Sequence, residues 1–171
     1  MCAVKGYPLR IVSSDAFAVE KIRTMQAFGA EVELISSPDG ITPDLIPSMM
    51  RRAAEIAAET GAFATNQFNN ADMIGGYRRL GTELLDQLPG PPAISAFCSY
   101  VGTAGCFLGV CRALAAAVPG LHRVVVEPAE SAVLSGGPPG THHIEGGGIG
   151  HRPPAAPRPG GLRGGHRHPR S

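Results

Sequence analysis

Apolar and polar positions fall into blocks along the chain, and each block carries the period of one kind of element. The short apolar run from Leu9 to Ser13, after Tyr7-Pro8, predicts a strand. Ala16 to Phe28 predicts a helix, with Val19, Ile22 and Met25 at helical spacing and Gly29 as its stop. Glu31-Val32-Glu33-Leu34-Ile35 alternates with a strand's period of two, and Pro38-Asp39-Gly40 is a turn. Thr42-Pro43 offers a helix start, but Pro47 moves the regular part to that residue. Met50, Ala53, Ala54, Ala57 and Ala58 then keep to one helical face until Gly61.

The same alternation continues. Ala62 to Ala64 reads as a short strand leading into Thr65-Asn66-Gln67-Phe68-Asn69, and a helix follows around Ile74 to Leu88, ended by Pro89-Gly90-Pro91-Pro92. Ala93 to Cys98 predicts a buried strand, Gly105 to Val118 a helix, and Arg123 to Val126 another strand. Strand, helix, strand at this spacing predicts an α/β fold with a parallel sheet and right-handed crossovers. From Pro138 the pattern fails. Residues 151–171 are almost entirely Arg, His, Pro, Gly and Ala, with Leu162 the one larger aliphatic, so the segment buries too little to offset its ordering entropy and is expected to be disordered.

Charge sharpens that division. Residues 1–150 hold ten Lys or Arg against all fourteen acids, and residues 151–171 hold five Arg and no acid. A basic tail is one route to nucleic acid or membrane, but a segment without function is the stronger reading, and no nucleic-acid or membrane partner is expected. No run of about 18 to 20 apolar residues is present to span a bilayer, and the N-terminus lacks a secretory pattern. The four cysteines, Cys2, Cys98, Cys106 and Cys111, show no zinc or CxxC spacing, and those in strand or helix patterns are expected as buried free thiols. A reduced, cytoplasmic setting follows as the expectation. No metal site is expected, since adjacent side chains at His142-His143 point apart and no third ligand stands at suitable spacing.

Three segments carry candidate chemistry. Gly102-Thr103-Ala104-Gly105-Cys106 follows a strand and opens a helix, so free backbone N–H groups and the positive end of a helix dipole favour a phosphate there. It has neither the GK[ST] of a P-loop nor the spacing of GxGxxG, and alone it fits an ordinary tight turn somewhat better. Thr65-Asn66-Gln67-Phe68-Asn69-Asn70 by itself is a turn with a buried Phe68. The glycines of His142 to Gly150 serve equally as a flexible linker. Glu127 and Glu130, in Glu127-Pro128-Ala129-Glu130-Ser131, are two carboxylates in a turn and are given no acid/base role.

Taken together with Val126-Glu127-Pro128-Ala129-Glu130-Ser131-Ala132-Val133-Leu134-Ser135-Gly136-Gly137, these segments resemble the cysteine synthase (O-acetylserine sulfhydrylase) and cystathionine β-synthase family of the tryptophan synthase β-like pyridoxal-phosphate enzymes, over roughly residues 1–150. The resemblance implies three-layer, mostly parallel α/β sheets of fold type II, incomplete at both ends. It implies part of a smaller N-terminal domain in residues 1–70, part of a larger phosphate-binding domain in 71–150, and an out-of-frame tail in 151–171. Gly102, Thr103, Ala104, Gly105 and Cys106 match the family's GTGGT phosphate loop, with Ala104 in place of glycine and Cys106 in place of threonine. Both changes are expected to weaken phosphate binding. Gln67 matches the substrate-carboxylate amide of QQF-x-NP-x-N, and Gly146 and Gly148 match the glycine loop beside the cofactor ring in HKIQGIGAGF.

The implied activity is replacement of the acetate of O-acetylserine by sulfide to give cysteine, in a transferase or lyase of amino-acid metabolism that is commonly homodimeric and acts on a small amino acid. A cystathionine β-synthase-like enzyme and a non-catalytic binding fragment are the alternatives. Within the pattern, the lysine that would hold pyridoxal phosphate covalently and the SGNTG motif fall before Met1, and the serine near the pyridine nitrogen falls after the tail. Lys5 and Lys21 match charged surface positions. No catalytic residue is therefore assigned, and the chain is expected to be an inactive fragment.

Overall fold

Two strand–helix–strand repeats, each closing a parallel two-stranded ladder, organise the chain. The structure, a computed structural model, describes residues 1–88 and 94–153. It falls into two units, one of Met1–Ala64 with Gly140–Glu145 and one of Thr65–Pro139 with the chain from Gly146.

In the first unit a single helical turn, α1 (Cys2–Lys5), precedes β1 (Arg10–Ser14), α2 (Val19–Ala27), β2 (Glu31–Ile35) and α3 (Leu45–Thr60). β1 and β2 pair in parallel from Arg10 opposite Glu31 to Ser14 opposite Ile35. Helix α2 stops where Gly29 takes a positive φ of 84°, its N–H donating to the Gln26 carbonyl at 2.9 Å. The buried apolar residues are Ile22, Ile41, Leu45, Ile46 and Ile56. The returning segment Gly140–Glu145 joins them through an antiparallel bridge between Ile41 and His142, whose amides donate to each other's carbonyls at 2.9 and 3.2 Å.

In the second unit α4 (Asp72–Gln87) is followed by β3 (Ala96–Tyr100), α5 (Gly105–Ala117), β4 (His122–Val126) and a 3₁₀ turn at Ala129–Ser131. β3 and β4 run parallel, from Ala96 opposite His122 to Tyr100 opposite Val126. Helix α5 is apolar on nearly every side and feeds two clusters. Val101, Ala104, Phe107, Cys111, Val125 and Leu134 form one, and Val110, Leu114, Val118 and Leu121 the other. Each large side chain so buried contributes about 1.5–3 kcal/mol. Close packing of α4 on α5 depends on glycine: a Cβ on Gly109 would lie 2.5 Å from the Cβ of Tyr77, and one on Gly81 would lie 2.6 Å from that of Ala113.

Several expectations need correction. Ala62 to Ala64 forms no strand; its residues are exposed, and among the described residues none pairs with it. Helix α3 starts at Leu45, with Pro47 in the first turn, where a missing N–H costs nothing. Its buried stripe is Leu45, Ile46 and Ile56, not the alanine face, of which Ala53, Ala54 and Ala58 are exposed. Large aliphatics bury more apolar area than alanines, so they choose the inward face. β3 is partly exposed rather than buried and leaves Cys98 exposed, because β4 is its one partner among the described residues. The expected turn at Pro89–Pro92 and the tail from Pro154 lie outside the described residues. Before that limit the Arg152 guanidinium donates to the Leu134 carbonyl at 3.0 Å, and Pro153 is fully buried.

Candidate functional site

The C-terminal end of β3 and the head of α5 meet in one sharp turn, and its sharpness comes from Ala104. This residue takes φ 69°, a left-handed conformation in which L side chains other than Gly, Asn and Asp are rare. A backbone that demands that conformation is where a glycine would be expected, and alanine there carries about 1–2 kcal/mol of strain. Its methyl group is 3% exposed and packs with Val101 and Phe107. The first intrahelical bond runs from the Leu108 N–H to the Ala104 carbonyl at 2.9 Å, so the amides of Gly105, Cys106 and Phe107 stand ahead of the helix ladder. No side chain caps them.

These residues line a cavity of about 320 Å³ within the second unit. Of the residues expected to bind ligand, Gln67, Gly102, Thr103, Ala104, Cys106 and Gly146 stand together in its wall. Gly105 lies behind Met73, whose Sδ would be 2.6 Å from an added Cβ. Gly148 is not on the wall; its carbonyl accepts from Ser131 Oγ at 3.5 Å. Gln67 is exposed and sits on a turn held by the Asn69 and Asn70 amides, which donate to the Asn66 carbonyl at 3.0 and 2.9 Å. Phe68 is half-buried rather than buried, 5.9 Å from the His151 ring.

Backbone meets backbone across the cavity wall. A Cβ on Gly102 would lie 2.5 Å from the Gly146 carbonyl oxygen, and one on Gly147 would lie 2.5 Å from that of Val101. Gly146 and Gly148 hold φ of 93° and 63°, which explains glycine at both. Thr103 directs its hydroxyl to Met73 Sδ at 3.6 Å. Burial pushes the Cys106 thiol up, which keeps it protonated and poorly nucleophilic. Tyr100 is pushed up to about 12 by burial and then by the charge of Glu127.

Sequence reasoning missed Met73, Tyr77, Tyr100, Val101 and Phe107 as wall residues. Met73 and Tyr77 stand four apart on α4, a spacing that reads as ordinary core, so nothing in the pattern marked them. Glu127 carries no chemistry here. It is buried and accepts from the amides of Leu134 and Ser135 at 2.8 and 2.7 Å and from Ser135 Oγ at 2.6 Å, which fixes the loop after β4. Among the described residues no group of three metal-ligating side chains occurs, and no helix is long and apolar enough to cross a membrane.

Comparison with known proteins shows the family. A family model described as "Pyridoxal-phosphate dependent enzyme" matches residues 1–161. Cysteine synthase of Staphylococcus aureus is 34% identical over 154 residues, which cover 90% of this chain and 48% of that protein. The crystal structure of cysteine synthase from Entamoeba histolytica superposes with a TM-score of 0.77 at 32% identity, over 90% of this chain and 44% of that one. The O-acetylserine dependent cystathionine β-synthase of Helicobacter pylori gives 0.77 at 30%, over 90% and 48%. The chain spans about half the length of the curated relatives it matches. The fold is accordingly that of fold-type II cysteine synthases over this span.

Proposed function

The chain belongs to the pyridoxal-phosphate dependent enzyme family, and from that premise we propose that the cavity at the head of α5 holds the cofactor's phosphate in a cysteine synthase-like enzyme. One observation carries the reading: the head of α5, left uncapped by side chains at the left-handed turn of Ala104, stands at the same cavity that Gln67, Thr103, Cys106 and Phe107 line. The amides and the helix dipole suit a phosphate dianion. Thr103 stands beside them in the wall, with its hydroxyl on Met73 Sδ, and the bare backbone of Gly102 lets the loop approach Gly146. Gln67, an exposed amide donor, orients the carboxylate of an amino-acid substrate. The bound cofactor withdraws electrons from the substrate's Cα. The overall reaction is loss of acetate from the β-carbon of O-acetylserine with addition of sulfide there, giving cysteine. Among the described residues no lysine lines the cavity, and this span alone is expected to bind without turnover.

Equilibrium dialysis of the 171-residue chain against pyridoxal phosphate tests the reading. Saturable binding, lost in Gly105→Asp, is expected, because the acid opposes the phosphate and its Cβ meets Met73. Absence of binding to the unaltered chain overturns it. Sulfide-dependent cysteine formation by this chain alone would overturn the predicted lack of turnover. The likeness to an O-acetylserine dependent cystathionine β-synthase favours a second reading, in which a thiol-bearing amino acid replaces sulfide on the same donor. We further propose a homodimer, to be checked by sedimentation, and a reducing cytoplasmic setting, in keeping with four cysteines that form no disulfide.

A further inference from the structure

The aromatic residue at the end of β3, in the wall beside the Gly102–Cys106 turn, has no role in that reading. Tyr100 is the last residue of β3, one residue before the turn begins, and the ladder fixes it opposite Val126. Its ring lines the cavity and is backed by the glycine loop, since a Cβ on Gly147 would lie 2.6 and 2.7 Å from Cε1 and Cζ. Gly147 thus allows the loop to press against the ring, and the added carbon of any other residue would displace one of them. The remaining wall offers apolar surface from Val101, Phe107 and Met73.

We propose that Tyr100 is the specificity-determining residue of this cavity, its ring selecting phosphate compounds that carry a flat aromatic body over those that carry an aliphatic one. This rests on the reading of the cavity as a phosphate site. At about 320 Å³ the cavity is at the small end of ligand sites, where roughly 300–1,000 Å³ is usual, so the rings of its wall, Tyr100 beside Tyr77 and Phe107, limit what fits next to the phosphate. An aromatic wall rewards a planar partner with stacking beyond simple area burial. With its ionisation pushed up to about 12, the phenol is neutral at physiological pH and does not repel a phosphate dianion.

Dialysis of the full chain against pyridoxal phosphate, glycerol 3-phosphate and inorganic phosphate separates the possibilities. The unaltered chain is expected to prefer pyridoxal phosphate to glycerol 3-phosphate by about tenfold. Tyr100→Leu, which keeps an apolar side chain and removes the ring, should abolish that preference while inorganic phosphate binds as before. Tyr100→Phe should retain it. A Tyr100→Leu chain that binds pyridoxal phosphate as tightly as the unaltered one, or more tightly, overturns the role of Tyr100 and leaves the phosphate site standing. Parallel loss of inorganic phosphate binding in that variant also overturns it, because the effect would then lie in the integrity of the cavity. If the unaltered chain binds none of the three, the phosphate reading and this inference fall together.

Discussion

Helix α2 of the first unit buries Ile22 alone, whereas α5 of the second buries Gly105, Phe107, Gly109, Val110, Cys111 and Leu114. Both helices cross between two parallel strands, so the difference is one of side chains and not of topology. The first unit carries ion pairs where the second carries burial. Arg52 spans both carboxylate oxygens of Glu33 at 2.6 and 3.3 Å, Arg10 reaches Glu31 at 3.0 Å, and Glu145 pairs with Lys21 while accepting from the Ala18 amide at 2.8 Å. Exposed pairs of this kind add little, because solvent screens them and long side chains lose entropy when held. A densely buried helix can hold the strained turn at Ala104, and the candidate site stands on that helix.

The largest expected effects test this contrast directly. Phe107 is 2% exposed in the cluster beneath the turn, and Phe107→Ala should cost about 3–5 kcal/mol in urea unfolding of the second unit. Ile22→Ala, at 7% exposure on the sparsely buried α2, should cost about 2 kcal/mol. Equal losses would break the comparison. Gly102→Ala comes next. Its Cβ would meet the Gly146 carbonyl oxygen at 2.5 Å, and parting the two backbones should cost about 1–3 kcal/mol. Cofactor affinity should fall with it, which dialysis would read, whereas a change at an exposed position such as Ala58 should leave both unmoved.

The same contrast explains what could be read in the sequence. Both βαβ repeats were legible because strand, helix and strand each carried their own period, and the shifts of one to three residues at their ends are the ordinary latitude of such reading. Ala62 to Ala64 looked like a strand because a strand's composition is local while its pairing is not. The inward face of α3 was not legible, because alanines keep helical spacing without enough area to decide which way a helix turns. Gln67, Thr103 and Gly146 were legible as a group through family resemblance, and the fold brings all three to one cavity. Tyr100 and Gly147 could not have been paired in advance. Nothing along the chain indicates that a ring at the end of β3 rests on a loop more than forty residues later.

The smallest expected effect is electrostatic. Asp15, Glu33 and Glu145 are all held below the ordinary carboxylate range, and all three lie in the first unit. The Ser37 amide does this for Asp15, donating at 2.6 Å, with Ser36 Oγ at 2.8 Å in support. The Arg52 hydrogen bond does it for Glu33, and Lys21 for Glu145. A carboxyl whose ionisation is lowered by folding binds fewer protons folded than unfolded near its titration, so acid favours unfolding. Their contribution is fully present above the ordinary values of 3.8 for Asp15 and 4.5 for the two glutamates, and is lost as pH falls through the lower folded values. Amide exchange followed from about pH 6 to about pH 3 should therefore show the β1–β2 ladder losing protection before α5, whose buried apolar face carries most of its stability. Asp15→Asn should flatten that loss, since the amide oxygen still accepts from Ser37 without titrating. Protection that falls in step across both units, or an Asp15→Asn profile that overlays the original, would show that charge is not what distinguishes the first unit from the second.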